Sequence, residues 1–169
     1  MVKSKLMLPT LMIVAVILSS LIAVSYAQQD GQTPAQIGDL VKLESVRGKA
    51  THRETESSEM MNASMVLTGE ITEINRTRII VEIIDGSVKV GENTYTVEMG
   101  FARVLFRKFG WVIITGNATD SYGSIFQFHL EGLLHIERLG LVIVGLAGPL
   151  TNETSHYVIR LMTRIERVV

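Results

Sequence analysis

Ile125-Phe126-Gln127-Phe128-His129-Leu130-Glu131-Gly132-Leu133-Leu134-His135-Ile136-Glu137 places Phe126, Phe128, Leu130, Leu134 and Ile136 on one side of an extended chain. Gln127, His129, Glu131, His135 and Glu137 fall on the other. Successive side chains of an extended backbone point to opposite faces, so a period of two marks a strand buried on one face only. Gly132 sits on the apolar side, where a missing side chain lets a long strand bend. Strands of about twelve residues, well above the usual five or six, suit a coiled or closed sheet better than a flat one.

The same alternation, rich in β-branched and aromatic residues, runs through most of the chain and is broken by Gly, Asn and Asp at short intervals. It predicts strands near 41–46, 65–74, 78–84, 87–90, 94–106, 111–115, 125–137, 141–146 and 156–168. The links are short and polar at 75–77, 85–86, 91–93, 117–123 and 149–155. In the last strand Tyr157, Ile159, Leu161 and Ile165 share a face opposite His156, Arg160, Arg164 and Glu166. The fold class expected is all-β: an antiparallel meander of about eight or nine strands, closed as an up-and-down barrel or folded as a strongly curved two-layer sheet. An immunoglobulin-like sandwich is the alternative. Phe106, Trp111, Phe126, Phe128 and Tyr157 read as core. Ile79-Ile80-Val81 with Ile83-Ile84, and Leu141-Val142-Ile143-Val144, are apolar on both faces and call for cover on both sides.

Ahead of this pattern, Lys3 and Lys5 precede an apolar run from Leu6 to Val24, followed by Ser25-Tyr26-Ala27 and the polar Gln28-Gln29-Asp30. A basic start, an apolar middle and small residues at the cleavage point are the parts of a secretory signal peptide, here residues 1–27. An uncleaved anchor is the competing reading, since a run of about 19 apolar residues just reaches across a bilayer. Pro9 and the cleavage site argue for removal, and the lysines stay inside in either case. Residues 28–39, made largely of Gln, Asp, Gly, Thr and Pro, read as a flexible tether, and 40–169 as a single β domain. The expected location is secreted or cell surface, with no stable membrane span once the signal is cleaved.

The full chain holds 16 basic and 17 acidic residues. Losing Lys3 and Lys5 with the leader takes the formal charge from −1 to −3, which gives no footing for nucleic acid. Without cysteine there is no disulfide, no thiol nucleophile, no cysteine-bound metal and no lipidated cysteine. Four of the five asparagines, Asn62, Asn75, Asn117 and Asn152, stand in Asn-x-Ser/Thr and are candidate glycosylation sites. Turn chemistry alone also brings Asn, Ser and Thr together.

Chemistry is sparse. His129 with Glu131, and His135 with Glu137, repeat His-x-Glu on one strand face, about 7 Å between partners, a spacing from which two side chains can reach one divalent ion. The two histidines lie roughly 20 Å apart along the strand and cannot share a site. Each pair needs further ligands from neighbouring strands, and the plainer reading is a solvated face. Glu131 and Glu137 are equally too far apart to act as a glycosidase acid and base. His156, Arg160 and Arg164 form a basic line able to pair with the acidic line of 125–137. No nucleophile elbow, phosphate loop or His-Glu-x-x-His is present. No cofactor is expected. The function expected is a non-enzymatic envelope or extracellular β domain, glycosylated, with a structural or interaction role toward other envelope components or itself. A barrel carrier for a small apolar ligand and a metal-assisted enzyme are the alternatives.

Overall fold

The computed structural model describes residues 35–53, 60–106, 110–136 and 142–168. Eight strands follow one another: β1 (Leu40–His52), β2 (Met60–Ile74), β3 (Arg78–Val90), β4 (Asn93–Leu105), β5 (Trp111–Thr119), β6 (Ile125–Ile136), β7 (Val142–Thr151) and β8 (His156–Val168). Each pairs antiparallel with its sequence neighbours, and β1 closes on β8, giving a closed up-and-down barrel and not a two-sheet sandwich. The links span from two residues (91–92) to seven (53–59). That connectivity puts the entry to β1, the exit from β8 and Asn75 at one end of the barrel, here the proximal end. The turns at 91–92, 120–124 and 152–155 lie at the other, distal end.

Two strands expected at 78–84 and 87–90 are one. Asp85-Gly86 does not turn the chain; β3 runs through it, and Ile84 is the extra residue of a bulge where the register against β2 shifts between Thr68 and Gly69. Gly86 faces inward so closely that a Cβ there would stand 2.5 Å from the Val66 carbonyl oxygen. The glycine therefore serves strand approach and not a hairpin. β5 likewise continues past Thr115 to Thr119, which moves Asn117 out of the expected turn and into a strand, and β7 continues through Pro149 to Thr151. Pro149 has no N–H to donate, and the β6–β7 ladder skips between the Phe128–Leu150 and Glu131–Ala147 pairs.

The true turns carry the expected chemistry. Gly91 adopts φ +58° in the two-residue β3–β4 link, a conformation that a side chain would strain. Asn75 Oδ1 accepts hydrogen bonds from the Thr77 N–H, the Thr77 hydroxyl and the Arg78 N–H. Asn152 Oδ1 does the same for Thr154 and Ser155. At 120–124, Asp120 Oδ1 accepts from the Tyr122 and Ser124 N–H groups.

Inside, the alternation is realised as read. Phe126, Phe128 and Leu130 point inward with Leu67, Ile114, Leu146, Ile159 and their neighbours, all between 0 and 7 % exposed. A void wide enough for a small ligand would expose the side chains around it, so the barrel is filled by its own residues along this length. Trp111, expected in the core, instead takes the face opposite Val112 and stands outside between Leu105 and Leu133. Toward the other end of the barrel Tyr95, 2 % exposed, is a core aromatic, packing edge-on against Phe126 at 4.7 Å.

One core position is out of keeping. Thr163 is 0 % exposed and its hydroxyl has no hydrogen-bond partner among the described residues. A buried hydroxyl without a partner carries a desolvation cost of about 1–3 kcal/mol. Thr163→Val is expected to stabilise the barrel by about 1 kcal/mol in urea unfolding, with an unchanged or lower midpoint as the opposing result.

Candidate functional site

Around the packed core, the outer wall of the barrel differs in character from strand to strand. The wall over β1, β2 and β8 is charged. Lys42 and Glu44 pair at 2.9 Å, Arg164 lies 3.0 Å from Glu166, and at the proximal end Arg78 grips Glu73 through two nitrogens. The Lys42 ammonium holds the Glu44 carboxyl below its ordinary range, and Arg78 does the same for Glu73. A barrel facing lipid presents an apolar band, and charge there costs about 2–4 kcal/mol per Lys or Arg at the midplane. Over β1, β2 and β8 charged groups stand outside, the reverse of such a band. No helix among the described residues is long and apolar enough to cross a membrane.

The His-x-Glu pair at 129 and 131 does meet: His129 Nε2 lies 2.6 Å from Glu131 Oε1. Both side chains are more than 40 % exposed, and neighbouring strands add no third ligand. Across β5 and β7 their partners are Thr115 and Ile113, and Ala147 opposite Glu131. His135 is exposed further along, and Glu137 lies outside the described residues. Among the described residues no group of three or more His, Asp or Glu is placed to hold a metal. The basic line of β8 is in register with this strand through β7, in the rows Glu131–Ala147–Arg160 and His135–Ile143–Arg164. Arg164 turns the other way, toward Glu166 and, at 3.7 Å, Glu44 on β1.

A two-residue contact on a solvated face adds little to stability. His129→Gln with His135→Gln is expected to shift unfolding by no more than about 0.5 kcal/mol, read by thermal melting with and without a chelator. A chelator-sensitive melting temperature lost in the double variant would contradict this.

The wall over β4–β7 differs in kind. Its outward rows are Leu105–Trp111–Leu133, Arg103–Ile113–Glu131, Phe101–Thr115–His129 and Met99–Asn117–Gln127. Met99 and Phe101 are 61 % and 44 % exposed. A groove of about 450 Å³ runs across the last two rows to Pro149 and Thr151. Its floor is thin because Gly100 and Gly116 face each other on β4 and β5, and a Cβ on Gly116 would stand 2.6 Å from the Phe128 ring inside the barrel. A second hollow of about 780 Å³, at the distal turns 123–125 and 151–154, shares Gln127 and Thr151 with it. The described lining of the first groove is amides, hydroxyls and exposed hydrocarbon, with His129 as its one ionisable side chain; the second hollow has Glu153.

The four sequon asparagines separate by environment. Asn75 and Asn152 hold their own turns together. Asn62 stands on the outer face of β2 and accepts from Lys49 Nζ at 2.8 Å. Asn117 lies in the groove. Sequence reasoning singled out Asn117 for a turn and passed over Met99, Thr115 and Gln127. Only the register of β4, β5 and β6 brings these four together.

Tyr95 and Tyr157 adjoin at the distal end, with the His52 ring tilted at 45° to Tyr157 at 4.9 Å. Burial, reinforced by the Tyr157 neighbour, pushes the Tyr95 phenol well above its ordinary range. The Tyr95 ring packs the distal end of the barrel against Phe126 and Tyr157. No known family model and no curated protein matches the chain.

Proposed function

We propose that this chain is an exported, non-enzymatic β domain of the cell envelope or extracellular space, held on a short tether and glycosylated at its sequons. It acts through its outer wall on other envelope components or on itself. The observation that carries this reading is the packed core: the apolar side chains along its central length are 0–7 % exposed, which favours recognition on the outside. The uneven wall supports it, being charged over β1, β2 and β8 but apolar and grooved over β4–β7. Export rests on the leader in the sequence; the described end of the tether, residues 35–39, enters β1 at the proximal end. Fractionation of the native source with amino-terminal sequencing tests the reading. A chain outside the cytoplasmic membrane that begins at Gln28 is expected; an intact chain in the cytosol would overturn it.

A further inference from the structure

We propose that the groove on the β4–β6 wall is the seat of a glycan carried by Asn117, whose first sugars pack on the barrel as part of its surface. This rests on the exported, glycosylated reading and narrows it to one residue and one binding surface.

Asn117 completes Asn117-Ala118-Thr119 inside β5, a place where asparagine is disfavoured and no turn uses its side chain. Asn75 and Asn152 each spend Oδ1 on three hydrogen bonds that close their turns, so turn chemistry accounts for them without a sugar. Asn62 is tied to Lys49. The Asn117 amide has no hydrogen-bond partner among the described residues, and it projects into a groove that nothing in the described chain covers. Beside it stand Met99 and Phe101, among the exposed apolar side chains of the barrel wall. A pyranose has C–H faces that pack on such side chains, and hydroxyls at its rim that pair with amides and hydroxyls of the kind Gln127 and Thr151 supply. The groove carries no cluster of charge, which suits a neutral sugar.

The bond formed runs from Asn117 Nδ2 to C1 of the first sugar. A lipid-linked oligosaccharide diphosphate is the donor, the lipid diphosphate leaves with the electron pair of the broken C–O bond, and the amide nitrogen loses one proton. The Asn117 main chain is in register with Met99 on one side and Gln127 on the other, so the transfer precedes closure of the barrel.

The test is glycopeptide mapping of protein from the native source, followed by hydroxyl-radical footprinting of the folded protein beside Asn117→Gln, Thr119→Ala and Asn152→Gln made in the same host. Thr119→Ala removes the sequon while keeping Asn117. The expected result is sugar at Asn117 and Met99 oxidised several-fold faster in both Asn117→Gln and Thr119→Ala, with Asn152→Gln like the parent. A bare Asn117 with sugar at Asn75 or Asn152 overturns this proposal alone. So does a modified Asn117 with Met99 oxidised as fast as in Thr119→Ala. Four bare sequons overturn both this proposal and the glycoprotein reading.

Discussion

Gly132→Val is expected to leave too little native barrel to measure. A Cβ at Gly132 would lie 1.8 Å from the Gly145 carbonyl oxygen and 2.7 Å from its carbon, both main-chain atoms of β7 that cannot rotate away. Relief requires β6 and β7 to part where their ladder holds Gly132 against Leu146, which opens the wall and wets the core. The loss should exceed about 4 kcal/mol, a large share of the roughly 5–15 kcal/mol that holds a domain of this size. Gly145→Ala supplies the control, since a Cβ there meets nothing within 4 Å. Circular dichroism and urea unfolding of the two variants read the contrast. A folded Gly132→Val barrel with near-parent stability would show that the two strands are not this close.

Leu130→Ala against Leu133→Ala tests which face of β6 is the inside. Leu130 is 0 % exposed and lies in the filled interior, whereas Leu133 is on the outer wall at 38 %. Emptying a core leucine costs about 2–5 kcal/mol, through lost transfer energy and the cavity left behind. The outer leucine should cost under about 0.5 kcal/mol. Similar losses at both positions would mean that another surface covers the wall near Leu133. That result would direct attention to self-association through the Leu105–Trp111–Leu133 row.

The inward and outward faces of β6 and β8 were legible from alternation alone, because burial on one face imposes a period of two. A closed barrel was one of the two forms expected; the β1–β8 pairing that decides for it depends on register between strands more than a hundred residues apart in sequence. β1 reaches it through an extra residue between Ser45 and Arg47. Asp85-Gly86 misled for a related reason: the dipeptide that favours a hairpin turn also suits a bulge, and only the partner strand decides. Trp111 misled because its size suggests core, while its parity with Val112 puts it outside. The candidate groove is assembled from residues on β4, β5, β6 and β7, each unremarkable in its own strand. What sequence did supply there was Asn117 in its acceptor pattern, though in the wrong element.

An exported barrel packed by its own side chains and proposed to act from its outer wall should carry covalent sugar and no enclosed ligand. Native mass spectrometry of the folded protein from its native source tests this most directly. The predicted spectrum is the polypeptide from Gln28 plus covalent sugar, with no further mass shed when the protein is unfolded in the instrument. A stoichiometric metal or small apolar molecule released on unfolding would contradict it.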